Sequence, residues 1–192
     1  MSEREGPVRV AVLVSGGGTN LHALLDALHD SSIARVARVI SSRPDAGALA
    51  RARSAGVPTA VLRDTGDPAE LLSALAGAQL VVLAGYLKLV HPSVVARFRG
   101  RMINIHPALL PDFGGPGMYG RRVHEAVLAS GAKESGATVH FVDEEFDRGA
   151  VIAQEKVRIE PGDTPDTLAA RVLEAEHRLL PRVVLELARR IS

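Results

Sequence analysis

In the segment Met102-Ile-Asn-Ile-His-Pro107, alternation with a period of two puts Asn104 and His106 on one face of a strand. Polar groups in an otherwise apolar strand are costly unless they are satisfied or used. An amide beside an imidazole suits acyl transfer to an amine: the Asn NH2 and a protonated His hold a developing oxyanion, and the His passes a proton. The competing reading is a core histidine satisfied by a backbone carbonyl. Downstream, Phe141 to Ala150 carries the acids Asp143, Glu144, Glu145 and Asp147. The first three read as solvated. Asp147, followed by Arg148-Gly149 and another strand, sits where a turn aims a carboxylate at a crevice. Near His106 such a carboxylate is expected to raise the imidazole pKa above its usual value of about 6.5, keep it charged and orient the ring.

The stretch Ser15-Gly16-Gly17-Gly18-Thr19-Asn20 joins a strand to a helix. Backbone N–H groups and the helix dipole make such a loop an anion site, and the glycines allow close approach. Leu21 occupies the place of a third Gly, and the second strand ends in Ser41-Ser42-Arg43, so this is no dinucleotide fingerprint. No Gly-Lys-Ser/Thr follows, which excludes a Walker A loop. Two readings stand: a site for one phosphate, or a tight turn capped by Thr19 or Asn20. Thr138 and His140 share a strand face and read as support for the site. His124, at a helix start, reads as lining the pocket mouth, and His22, His29 and His91 as surface residues. No metal-ligand spacing appears, so no metal is expected.

The elements that must position these groups follow from hydrophobic period. Val8 to Val14 is a short β-branched run apolar on both faces, as a buried parallel strand is. Further strands are predicted at Val36 to Ile40, Val57 to Leu62, Leu80 to Ala84 and Met102 to His106. Helices are predicted from Leu21, over Ala46 to Ala55, from Pro68, over His91 to Arg97 and over Arg121 to Ala129. Asp67-Pro68 supplies a cap and a first-turn proline. Ala137 to Val142 and Val151 to Ile159 are expected to pair as an antiparallel hairpin. Thr164-Pro165 opens a long last helix that Pro181 should bend. This alternation predicts an α/β fold, a doubly wound, mostly parallel sheet in which ligands gather at strand carboxyl ends.

The chain of 192 residues, 46% hydrophobic and 23% charged, suits a single domain over 1–192, with residues 1–7 a flexible tail. A net charge of +1 announces no nucleic-acid partner. The absence of Cys excludes disulfides and thiolate chemistry. No apolar run is long enough for a membrane span, so the reading is a soluble, cytoplasmic protein without membrane partners.

Taken together, Val14-Ser-Gly-Gly-Gly-Thr-Asn-Leu21, Leu83-Ala-Gly-Tyr86, Ile103-Asn-Ile-His-Pro-Ala-Leu-Leu-Pro111 and Gly136-Ala-Thr-Val-His-Phe-Val142 resemble the folate-dependent phosphoribosylglycinamide formyltransferases of the formyltransferase superfamily. Asp147-Arg-Gly149 and Gly162-Asp-Thr-Pro165 complete the likeness, which runs from about Val8 to the end. The resemblance implies a Rossmann-like formyltransferase domain, monomeric or homodimeric. It implies transfer of a formyl group from 10-formyltetrahydrofolate to the glycyl amine of glycinamide ribonucleotide, a step of purine biosynthesis. Asn104, His106 and Asp147 fall on catalytic positions. Gly17, Gly18, Thr19 and Asn20 fall on the phosphate loop, and Glu176 on an acid that contacts the ribonucleotide, although its local sequence reads as a solvated helix face. Lys88, Leu89 and Val90, with Val142, Asp143, Glu144 and Glu145, fall on the folate-lining segments. Two departures stand out: Phe113 to Gly120 is longer than in several relatives, and Arg148 replaces a smaller residue. Two rivals share the catalytic trio. A formyltetrahydrofolate deformylase is expected to carry an extra N-terminal domain, and methionyl-tRNA formyltransferase a C-terminal domain and a basic surface. A non-catalytic folate or nucleotide binder is the reading from another class.

Overall fold

The computed structural model describes residues 6–191. The tail expected over residues 1–7 therefore falls mostly outside the described residues. The element order is β1 (Val8–Val14), α1 (Thr19–Leu28), β2 (Ala34–Ser41), α2 (Gly47–Ser54), β3 (Thr59–Val61), α3 (Pro68–Ala74) and β4 (Leu80–Leu83). Then follow α4 (Pro92–Arg97), β5 (Met102–His106), α5 (Arg121–Ala129), β6 (Glu134–Phe141), β7 (Val151–Arg158) and α6 (Pro165–Ile191). One seven-stranded sheet runs β3-β2-β1-β4-β5-β6-β7. The first five strands are parallel and β5-β6-β7 antiparallel. The hairpin of β6 and β7 is as expected. The antiparallel pairing of β6 on β5 is an addition, made by the chain rather than by either strand's pattern.

Strand period explains the two cores. Val10, Val12 and Val14 face α1 and α6, packing with Leu21, Leu24, Leu179 and Val183. Ala11 and Leu13 point the other way, among Ile40, Leu71, Val94 and Met102 beneath α3 and α4. The unbroken apolar run over residues 10–14 is what a layer on each face demands. Local signals set the helix starts. Asp67 accepts from the Ala69 N–H at 2.9 Å, with Pro68 first in α3. Thr164 Oγ1 accepts from the Thr167 N–H at the start of α6. His91 is exposed as predicted, but it also caps α4 by accepting from the Ser93 N–H at 3.2 Å. α6 runs as one helix through the buried Pro181.

Strand order reverses between β1 and β4, so the loops after these strands diverge and leave a crevice between them, as in other open α/β sheets. Ser15 ties the two loops together: its N–H donates to the Gly85 carbonyl at 3.0 Å, and its Oγ accepts from the Leu87 N–H. On the other side of β5, the ladder of β6 and β7 is bulged on β7: Val139 pairs with Ala153 and His140 with Val151, which leaves Ile152 as the extra residue. The β6–β7 connection then folds back tightly. Gly149 lies so close to β6 that a Cβ there would stand 1.7 Å from the Phe141 carbonyl oxygen. Gly149→Ala is accordingly expected to lose about 2 kcal/mol, roughly 5 °C in melting temperature. Thermal unfolding followed by circular dichroism checks this, and an unchanged midpoint contradicts the close approach.

Candidate active site

Asn104 and His106 do share one face of β5, and the antiparallel register sets them opposite His140 and Thr138. The β6–β7 loop returns Asp147 over the same spot, held at φ 56. A positive φ is uncommon for a non-glycine residue, though Asp tolerates it better than most. Here the turn directs the side chain inward, and only 9% of it is exposed. Asp147 Oδ1 accepts from Asn104 Nδ2 at 3.3 Å, and Oδ2 accepts from the Gly115 N–H at 2.9 Å. His106 Nδ1 stands 3.5 Å from Oδ2, and His140 Nε2 3.5 Å from Oδ1. The three expected residues therefore meet at a single carboxylate.

The partners assign the proton positions. His106 Nε2 lies 2.8 Å from the Phe113 carbonyl, which can only accept, so Nε2 carries the hydrogen and Nδ1 faces Asp147. His140 Nδ1 likewise donates to the Phe141 carbonyl at 2.8 Å. Its Nε2 then accepts from Asn104 Nδ2 at 3.0 Å in the neutral ring and turns a proton to Asp147 in the charged one. Both amide hydrogens of Asn104 are thus engaged within the site rather than free. Burial lowers the pKa of His106, and the Asp147 charge only partly restores it. This corrects the sequence expectation: the carboxylate acts in the anticipated direction, but 3% exposure of the imidazole outweighs it. Burial also pushes the Asp147 carboxyl up, but His140, His106 and the Gly115 N–H together hold it below the usual carboxylate range.

Thr138 works one step removed. Its hydroxyl donates to the Ala108 carbonyl at 2.6 Å and accepts from the Leu110 N–H and Gln154 Nε2. This pins the loop that follows His106. Gln154, Ser15, the Phe113 carbonyl and the Gly115 N–H all escaped the sequence reading. Backbone groups carry no residue-type signal, and Gln154 and Ser15 owe their roles to register and loop approach.

A cavity of about 500 Å³ opens onto this cluster. Lys88, Leu89, Val90, Val142, Asp143 and Glu145 line one part of it, while Asn20 and Glu176 line it near His124 and Leu173 of the helical side. Glu144 does not line it; with Arg148 it borders an adjoining groove behind Asp147. Gly17, Gly18 and Thr19 are also absent from the cavity wall, Asn20 alone representing the loop. The α1 cap is Gly18 at φ 77 without a side-chain hydrogen bond, so neither Thr19 nor Asn20 is the cap. Arg148 is exposed and lies 3.8 Å from Glu145. His124 is buried within the wall rather than at its mouth, and its Nδ1 has no hydrogen-bond partner. Among the described residues no group of three or more acidic or histidine side chains is arranged to hold a metal ion, and no helix is long and apolar enough to cross a membrane.

Glu176 overturns its local pattern. It is 7% exposed and accepts from Asn20 Nδ2 at 3.2 Å, because α6 packs on α1 and turns this position inward. Burial pushes its pKa up to about 7 despite that hydrogen bond. The sign follows by linkage. From pH 4.5 to 7 the folded state holds a proton that the unfolded state has released, so stability is fully present below 4.5 and declines as pH rises through 7. Glu176→Gln removes this decline. Its stability relative to the parent chain should rise between pH 4.5 and 8 by about 3 kcal/mol. Denaturant unfolding at the two pH values measures the difference, and a gap independent of pH contradicts a buried proton on Glu176.

Comparison with known proteins identifies the family. The family model described as "Formyl transferase" matches residues 8–184. A chloroplastic phosphoribosylglycinamide formyltransferase of Arabidopsis thaliana is 46% identical over 92% of this chain and 64% of its own. One from Haemophilus influenzae is 40% identical over 92% of this chain and 85% of its own. The chain thus spans rather less than two thirds of the plant relatives and most of the bacterial one. Among solved structures, glycinamide ribonucleotide transformylase 1 from Symbiobacterium toebii superimposes with a TM-score of 0.89 at 39% identity, covering 98% of this chain and 91% of that one. With the likeness spanning sheet, hairpin and last helix alike, the chain belongs to the formyl transferase family.

Proposed function

We propose that this protein transfers the formyl group of 10-formyltetrahydrofolate to the glycyl amine of glycinamide ribonucleotide, yielding the formylated ribonucleotide and tetrahydrofolate in purine biosynthesis. The observation that carries the reading is the convergence of Asn104, His106 and Asp147 at the wall of one cavity. Relatives bearing the name phosphoribosylglycinamide formyltransferase, over most of this chain, support the substrate pair.

The cavity suits two substrates meeting end to end. Leu89, Val90 and Val142 make an apolar slot fitted to a flat heterocycle, with Lys88 at its exposed rim for an anionic tail. Asn20 and Glu176 offer polar partners to the hydroxyls of a ribose, and the glycine loop beyond them offers N–H groups to its phosphate. Docked so, the amine and the formyl carbon lie side by side, and much of the entropic cost of reaction is met on binding.

The neutral amine attacks the formyl carbon, and the carbonyl oxygen gains charge. Asn104 donates to that oxyanion by releasing the longer of its two hydrogen bonds, the 3.3 Å contact with Asp147. His106 Nδ1 faces the same carboxylate, so a proton taken up there forms an imidazolium stabilised by Asp147, whose positive charge favours the oxyanion. The amine proton passes through this group to the departing folate nitrogen. The C–N bond to folate breaks as the new formamide forms.

An absorbance assay of formyl-folate consumption, run with and without glycinamide ribonucleotide, tests the reading. Product that appears only with the amine is the expected result; product without it identifies a deformylase, and no product in either case a binding protein. Asn104→Ala and His106→Ala should each lower kcat by roughly 10² to 10³ while leaving ribonucleotide affinity within a few fold. Full activity in either variant removes that residue from the chemistry. Asp147→Asn withdraws the charge that counteracts burial of His106, so the high-pH fall in kcat should begin at lower pH than in the parent chain. A pH–rate profile of unchanged shape refutes the coupling.

A further inference from the structure

The glycine loop is gripped from one side by α2. The Ala48 N–H donates to the Gly16 carbonyl at 3.0 Å, and Arg51 Nε–H donates to the Gly17 carbonyl at 2.8 Å. Gly18, at φ 77, is pressed on the same helix: a Cβ there would stand 2.6 Å from that of Ala48. In a trans peptide the C=O and the following N–H point in opposite directions. Two carbonyls drawn toward α2 therefore turn the N–H groups of Gly17 and Gly18 away from it. Neither N–H has a hydrogen-bond partner among the described residues.

Arg51 is exposed, and no carboxylate pairs with it among the described residues. Arg43, at the start of the same crossover, differs: its guanidinium is taken up by Asp45 in two hydrogen bonds of 3.0 and 2.6 Å. Only Nε of Arg51 is engaged, so its two terminal NH2 groups remain as charged donors at the edge of the loop.

We infer that Arg51 is a positioning residue of the anion loop and sets its preference for a phosphorylated amine. Its Nε holds the Gly17 peptide so that N–H groups face the ligand, and its free guanidinium nitrogens supply positive charge to the phosphate beside them. The inference rests on the phosphate site assigned to this loop under the proposed function.

The test compares two amine substrates, glycinamide ribonucleotide and the same compound without its phosphate, in the parent chain, Arg51→Gln and Arg51→Lys. A charge-assisted hydrogen bond to a phosphate oxygen corresponds to roughly a tenfold change in affinity. Arg51→Gln should therefore raise KM for the ribonucleotide about tenfold, leaving kcat, formyl-folate KM and turnover of the dephosphorylated amine within twofold. Arg51→Lys should recover most of the loss by restoring the charge. Equal losses on both amines mean that Arg51 only braces the fold, and no loss on either means that it plays no part; each overturns the inference. A parent chain that does not discriminate between the two amines overturns the phosphate reading itself, whatever Arg51 does.

Discussion

A carboxylate buried beside a cavity must be surrounded by donors, because an isolated charge taken out of water costs far more than one fold can spare. Asp147 meets this requirement with groups from three directions: Asn104 and His106 on β5, His140 on β6 and the Gly115 N–H from the glycine-rich loop. Only His140 lies near it in sequence; the other partners come from more than thirty residues away, so the carboxylate is fully satisfied only when β5, β6 and both loops are in place. The same contacts that make Asp147 tolerable in the fold aim Asn104 and His106 at the cavity. Stability and the layout of the candidate site are here requirements on one set of side chains.

The rest of the molecule can be understood as holding that cluster at the open end of the sheet. The central strands β1 and β4, apolar on both faces along most of their length, anchor β5 between two packed layers. The bulge at Ile152 of β7 and the close approach of Gly149 to Phe141 bring the β6–β7 loop back over β5. Thr138 and Gln154 fix the segment after His106 from behind. At the far end, α6 lays Glu176 against Asn20, so the last helix joins the glycine loop to the same cavity. Burial prevails at three groups: it lowers His106, lowers His124 and raises Glu176, keeping each nearer to neutrality than water would, whereas at Asp147 the surrounding donors outweigh it.

Much of this was legible from residue order. The run Val8–Val14 declared a doubly covered strand, Asp67-Pro68 and Thr164-Pro165 declared helix starts, and the alternation of Asn104 and His106 put both on one face. Those are local statements, made by steric and capping preferences that act within a few residues. Glu176 was not legible in the same way. Its neighbours Arg171 and His177 suggest a polar face, and only the contact between α6 and α1 shows that this position turns inward. Glu144 and Glu145 are adjacent acids with equal claims, yet a single step along the loop moves one into the cavity wall and leaves the other on the adjoining groove.

By itself, then, the order of residues determined the succession of strands and helices, the faces that must be buried and the short list of polar groups gathered at strand ends. Tertiary structure decided which acid reaches His106, which hydrogen of each imidazole is committed to a carbonyl, and that burial prevails over the carboxylate in setting the charge of the ring. The division has a physical cause. Backbone sterics and side-chain period act over a few bonds, whereas solvation and proton affinity depend on whatever the fold brings within a few ångströms, regardless of separation along the chain.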